Sequence, residues 1–447
     1  MRARQVDCLI VGGGPAGTML AWELAREKHD VVLVDHGRAH YSGPFETVLG
    51  ATRTLWQRMG LLDELKAGVT VDPLRHGAIW GDATMQWRDG DDAGLMLQRG
   101  TFDRAFRDAA AAAGATVLVG ERVERQGDTW QIGDAVFEPK FVAYATGRSA
   151  TDGLCKVQPT GPPTTAVTVL GEPEESDRGT AIVEAVSDGW VWTHVPTTGD
   201  ASAAVMLDRD HLKDQTVEQV LGEVFAAALG PAGRLRKWRV AHANDATMGD
   251  RGIQNDVLVL GDAAATIDPL ASQGVEKAVS AAGHAACVVA TALEQPEWWP
   301  RLCALHSQWE LGLQAAHRRS AYEFYDQEDR FGDRAFWRRR TLANDAVDVS
   351  PDAKLTMRST VAPARVLMRH GPRYIEVDGA IDSASGVEIA RVARVPVAAL
   401  VSILAEPRTL QDAVAQAKTE PSLFVLSPRE VHDAILQLVA RDWVACD

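Results

Sequence analysis

The segment VGGGPAG, Val11 to Gly17, constrains the fold of this chain more than any other. It lies between DCLIV, which reads as a buried strand, and TMLAWELARE, which reads as the helix that follows. A glycine turn between a strand and a helix brings backbone amides and the positive end of the helix dipole up to a pyrophosphate. Gly12 makes the turn, Gly14 lets the backbone approach the phosphates, and Gly17 allows close helix-to-strand packing, with Pro15 and Ala16 between them. Asp35 ends the next apolar run, VVLVDHG, where an acidic side chain accepts from an adenosine ribose hydroxyl.

The second informative segment is LGDAAATIDPLASQG, Leu260 to Gly274. It reads as a strand end, Asp262, a loop and a helix entered through Gly274, with Pro269 and Gln273 in the loop. Asp262 is placed to accept from a ribityl hydroxyl, and the amides at the helix start offer positive charge to the pyrimidine end of a reduced flavin. Three further motifs follow the same order: FET with Glu46, Arg99 with Phe102 and Asp103, and AYATGRS with Gly147.

Over roughly residues 6 to 345 these motifs resemble the class A FAD-dependent monooxygenases, closest to the flavin-dependent halogenases and their relatives. The resemblance implies an α/β chain, α+β overall. It implies a glutathione-reductase-type Rossmann FAD domain with an inserted antiparallel-sheet substrate domain, and oxygen chemistry through a flavin C4a-hydroperoxide. The resemblance implies that Gly12, Gly14, Pro15, Ala16, Gly17, Asp35, Glu46, Arg99, Gly147, Asp262, Pro269, Gln273 and Gly274 bind FAD. One dinucleotide fingerprint leaves two electron sources open, NAD(P)H acting transiently or a separate reductase.

At 447 residues the chain predicts about three domains. Its net charge of −15 argues against a nucleic-acid partner. Five scattered cysteines without C-x-x-C spacing suit a reducing cytoplasm and suggest no metal site. No apolar run reaches membrane-spanning length and the first strand starts close to Met1, so the expectation is a cytoplasmic protein without a membrane partner.

The expected FAD domain is discontinuous, 1–60, 95–150 and 245–295, with the substrate domain at 61–94 and 155–244. Residues 296–370 read as a helical region. Its Arg338, Arg339 and Arg340 either belong to a solvated helix face above an aromatic stripe or meet an acidic peptide or nicotinamide phosphate. Residues 371–447 read as a small winged-helix-like domain. Its last helix starts with the capping box of Ser427, Pro428 and Glu430. From Arg373 onward there are seven Lys/Arg against eleven Asp/Glu, which disfavours DNA and leaves a peptide-binding module or a structural cap.

Halogenases of tryptophan carry a Lys and, in a D-P-L-E-S-T-G loop, a Glu. Here the loop reads Asp268-Pro269-Leu270-Ala271-Ser272-Gln273-Gly274, and VDPLRHGAIWGDATMQWRDG contains no lysine, only Arg75 and His76 where one is sought. Hydroxylation of an aromatic ring needs only modest acid–base help, for which His76 and His194 are candidates. Trp80, Trp87, Trp190 and Trp192 would stack an aromatic substrate or pack a core. The leading expectation is hydroxylation of an aromatic substrate, most specifically a tryptophan in a peptide or small protein during tryptophylquinone biogenesis. The alternatives are a halogenase and an FAD-dependent reductase or non-catalytic partner-binding flavoprotein.

Overall fold

The computed structural model describes residues 3–37, 45–88, 94–148, 157–213, 215–271, 273–341, 349–423 and 425–446, without the Ala271 side chain. The chain divides into two compact units, one of residues 1–289 and 309–342, the other of 290–308 and 343–447.

Among the described residues the first unit is built on two large sheets and a small three-stranded one. The apolar runs LIV and VVLV are buried on both faces, as strands flanked by helices must be. They become the centre of a parallel array ordered Thr116–Val119, Val31–Asp35, Arg4–Val11, Ala135–Tyr144, Leu258–Val259. Helix Pro15–Arg26 connects the first two strands in chain order, and helix Arg99–Ala113 precedes Thr116–Val119. The latter ends at Gly114, whose φ of +119° closes the helix in a conformation other residues resist.

The second sheet has nine strands. Its path runs Arg236–Asp245, Thr164–Glu172, Ala201–Asp208, Gly189–Val195, Thr180–Val186, Val69–Ile79, Gly94–Gln98, Phe45–Val48, and Met85–Arg88 adds to the edge of Val69–Ile79. Alternation sends Val167, Val169, Val191, Val205 and Leu207 to one face, where helix Val217–Ala227 covers them with Val220, Leu221 and Phe225. Ala166, Trp190, Trp192 and Met206 point the other way and pack on Tyr325, Phe336 and Trp337. Phe45–Val48 and Gln98's strand, expected to lie with the FAD domain, pair with each other and through Val69–Ile79 into this sheet.

The helical region expected at 296–370 is divided. Helix Trp299–Tyr325 is present, but Leu355–Met357 and Val361–His370 are strands. Val361–His370 pairs along its full length with Arg373–Asp382 across a turn at Gly371, whose φ is +60°. The second unit adds helices Val397–Ile403, Leu410–Ala417 and Pro428–Ala440 and the closing strand Val444–Cys446, paired with Leu355–Met357. Its core joins Leu355, Val397, Leu400, Ile435, Leu438 and Trp443. The Ser427 capping box forms, with the Ser427 hydroxyl accepting from the Glu430 amide and the Glu430 carboxylate accepting from the Ser427 amide. Among the described residues no helix is long and apolar enough to cross a membrane.

Candidate functional site

The glycine loop has the geometry its sequence requires. Gly12 has φ +111°, and a Cβ there would lie 2.3 Å from the Ala145 carbonyl oxygen; one at Gly17 would lie 2.0 Å from the Gly12 oxygen. At Gly14 a Cβ would meet nothing within 4 Å, so the backbone faces open space at the N-terminus of helix Pro15–Arg26, with Pro15 at its first position. That is the space a pyrophosphate fills. Asp35 accepts from the Gly13 amide at 2.9 Å and the Gly37 amide at 2.6 Å. Arg107 donates to the Gly13 carbonyl at 3.1 Å and stands 3.9 Å from Asp35. Nothing in the sequence marked Arg107, since it falls two helical turns beyond Arg99 and belongs to no motif.

The two flavin segments meet in space. Gly261, with φ +66°, comes so close to Ala16 that a Cβ would lie 2.8 Å from the alanine methyl. Asp262 follows, partly exposed and 3.5 Å from Arg148. Gly147, with φ +64°, turns the chain between Tyr144 and Arg148. Arg99 grips Asp103 through two nitrogens and reaches Glu46 at 3.2 Å. Burial pushes the Glu46 carboxyl above its usual range against the pull of Arg99, and the negative charges of Asp262 and Asp103 act in the same direction as burial. Pro269 and Leu270 form a short turn, and helix Gly274–Glu294 starts after Gln273, whose carbonyl accepts from the Lys277 amide. Ser272 and the Ala271 side chain lie outside the described residues.

A buried ion pair that no motif announced supports the second segment. Glu310 accepts from the Gly261 amide at 2.7 Å, and Lys277 Nζ lies 2.8 Å from its other oxygen, both side chains at 1% exposure or less. Asp268, at the head of the loop, accepts from the Leu270 amide at 3.0 Å and from the Tyr325 hydroxyl at 2.9 Å, and that hydroxyl accepts from Trp190 Nε1 at 3.0 Å. Burial raises the Asp268 carboxyl above its ordinary value.

The face of the nine-stranded sheet that carries Trp190 and Trp192 also carries both candidate histidines. His194 and His76 stand opposite Ala181 on its two sides, so all three point the same way. Trp192 follows two residues before His194, with ring centroids 4.4 Å apart. Around them the positions are small: Ser202 beside His194, Ala204 beside Trp192, and Val183 and Ala78 in the adjoining row. Burial lowers His76 to about 4, helped by Arg88, and lowers His194 to about 3, helped by His76. Both imidazoles are therefore neutral at pH 7, and neither Nε2 has a hydrogen-bond partner among the described residues. Trp80 donates to the Phe324 carbonyl at 2.7 Å and packs edge-on against Trp337. Trp190 is fully buried in the same cluster.

Two readings are corrected. Trp87 stands opposite Gly77, one residue out of step with His76 and Ala78, and turns to the other face, under the Arg75 guanidinium at 3.6 Å. The arginine triplet does not form a free docking patch: Arg340 is buried and donates to Asp208, Thr164 and the Phe336 carbonyl, and Arg339 pairs with Asp208 at 2.9 Å.

Comparison with known proteins agrees with this geometry. Residues 5–136 match the family described as FAD binding domain. A digeranylgeranylglycerophospholipid reductase of Methanothrix thermoacetophila is 26% identical over 356 residues, covering 71% of this chain and 87% of that protein. Among solved structures, the peptidyl tryptophan dihydroxylase QhpG, essential for tryptophylquinone cofactor biogenesis, superposes with a TM-score of 0.69 at 23% identity, covering 98% of this chain and 99% of QhpG. The flavin-dependent halogenase CmlS superposes with a TM-score of 0.68 at 17% identity, covering 100% of this chain and 96% of CmlS. The open cradle at Gly14, the Asp262 loop and the helix start at Gly274 fit an FAD, and the chain carries an FAD binding domain and has the fold shared by QhpG and CmlS.

Proposed function

We propose that this protein is an FAD-dependent monooxygenase that hydroxylates an aromatic ring, and that the ring is a tryptophan presented in a peptide or small protein. The observation that carries the reading is the sheet face on which two neutral imidazoles, His76 and His194, stand beside Trp192 among small residues. FAD, when bound and reduced, supplies the activation of oxygen. The chain's own residues do the rest. Trp192 offers an aromatic face to the substrate ring, with the small side chains of Ala78, Ala181 and Ala204 on the same sheet face. His194 Nε2 accepts the proton that the hydroxylated carbon sheds as aromaticity returns. That transfer is strongly downhill, so a weak base held at about 3 suffices. Trp190, Tyr325 and Asp268 form a hydrogen-bonded chain that holds the Pro269–Leu270 turn against this face, and the apolar cluster around them excludes water.

The net charge of −15 makes a nucleic acid a poor substrate. Electrons come from NAD(P)H directly or from a partner reductase, which anaerobic mixing of the FAD-loaded protein with each nucleotide distinguishes by bleaching of the flavin.

A second reading, reduction of a carbon–carbon double bond, has one observation in its favour: the curated relative with 26% identity is named a reductase. The test is incubation of the FAD-loaded protein with reductant, oxygen and tryptophan-containing peptides. A gain of about 16 Da that needs oxygen and ignores halide supports hydroxylation. A gain that appears only with chloride or bromide supports halogenation, and no oxygen-dependent gain together with reduction of an isoprenoid substrate supports the reductase.

A further inference from the structure

The Lys277–Glu310 pair lies where neither the glycine loop nor the histidine face uses it. A buried ion pair recovers its desolvation cost only when its geometry is good and its remaining polar atoms are satisfied, so its presence beneath a loop calls for a reason. Glu310 Oε1 accepts from the amide of Gly261 at 2.7 Å, and Glu310 Oε2 faces Lys277 Nζ at 2.8 Å. Gly261 is the residue that touches Ala16 of the first flavin segment and directly precedes Asp262 of the second. Its backbone sits at φ +66°, a turn conformation that glycine adopts without strain. Lys277 belongs to the first turn of helix Gly274–Glu294, and its own amide bonds to the carbonyl of Gln273. One carboxylate thus ties the turn before Asp262 to the start of helix Gly274–Glu294.

We propose that Lys277 and Glu310 are positioning residues for the flavin: Glu310 orients the Gly261–Asp262 peptide so that Asp262 meets the ribityl chain, and Lys277 keeps Glu310 aimed at Gly261. The proposal rests on FAD being the ligand. The ion pair itself is interchangeable with any arrangement that leaves an acceptor at Glu310 Oε1 and no orphaned charge beside it. Lys277→Met strips the partner from Glu310 and loosens the tether. Glu310→Ala removes the acceptor. Lys277→Met with Glu310→Gln restores a neutral amide oxygen as the acceptor and leaves no unpaired charge.

The experiment measures FAD affinity by quenching of flavin fluorescence, the visible circular dichroism of bound flavin, and the thermal unfolding of each apoprotein. Both single variants are expected to bind FAD at least about tenfold more weakly with an altered flavin dichroism, and the double variant to recover most of the affinity and the wild-type spectrum. Single variants that bind FAD as tightly as the wild type overturn the proposal. A double variant no better than Lys277→Met while its apoprotein melts like the wild type also overturns it, because the acceptor at Gly261 is then irrelevant. If Glu310→Ala does not fold, Glu310→Gln replaces it, with the same outcomes. A wild type that does not bind FAD refutes the cofactor reading instead, so the two failures are distinguishable.

Discussion

His76 and His194 make the protein's stability depend on pH in a way their substitution removes. In the unfolded chain a histidine protonates near pH 6.5, whereas in the folded protein burial holds His76 at about 4 and His194 at about 3. The folded values lie below the unfolded ones, so the unfolded state binds more protons at any pH between them and stability falls as pH falls. The loss begins near pH 6.5 and continues until each folded value is reached. Between pH 7 and pH 5 the unfolded chain takes up about three-quarters of a proton per histidine and the folded chain almost none, which integrates to about 2 kcal/mol for each residue. Carboxyls that burial raises, such as Asp268 and Glu46, contribute with the opposite sign, but they do so equally in wild type and variant. The assay is urea unfolding of the FAD-loaded protein at pH 7 and pH 5, for the wild type, His76→Gln and His194→Gln. Each variant should lose about 2 kcal/mol less than the wild type over that interval. Equal losses in all three would show that the imidazoles are already charged in the folded state, and the account of the sheet face would fall with them.

Three other outcomes follow from the geometry. Gly14→Val, which places a side chain in open space, should leave folding intact and weaken FAD binding by about a hundredfold or more in a fluorescence titration. Arg340→Met removes the buried partner of Asp208, which keeps only the partly exposed Arg339, and should cost about 2–3 kcal/mol in chemical denaturation, with little change on adding salt. Tyr325→Phe removes the donor to Asp268 and the acceptor for Trp190, and should cost about 2–3 kcal/mol while raising the fraction of oxygen released as peroxide.

What the sequence disclosed and what it hid divide along chain distance. The glycine loop was legible because its requirement is local: within seven residues the chain must turn, approach a ligand and pack a helix, and only glycine meets each demand. Gly114 and Ser427 were legible for the same reason. Sheet faces were not. Trp87 and His76 lie on neighbouring strands, and a register one residue different would have exchanged their sides. The convergence of His76 and His194 on Ala181 depends on a parallel pairing between strands more than a hundred residues apart, for which no short pattern exists. The arginine triplet read as a charged surface because its acceptor, Asp208, comes from a distant strand. Glu310 was missed outright, since a helix residue that reaches a glycine amide leaves no trace in spacing or composition. The strand Val361–His370 passed for helix because its arginines and small residues mask a two-residue alternation that only its partner strand reveals.

The central claim, that oxygen goes to an aromatic ring under the histidine-bearing face, is tested most directly by one mass measurement. FAD-loaded protein, reduced anaerobically and then mixed with isotopically labelled dioxygen and a tryptophan-containing peptide, should give a product carrying one labelled oxygen atom on the ring, in the presence or absence of chloride and bromide. His194→Gln should slow its formation while leaving FAD affinity unchanged. A product that incorporates halide, or a peptide that leaves unlabelled while an isoprenoid double bond is reduced by the same preparation, would contradict the account.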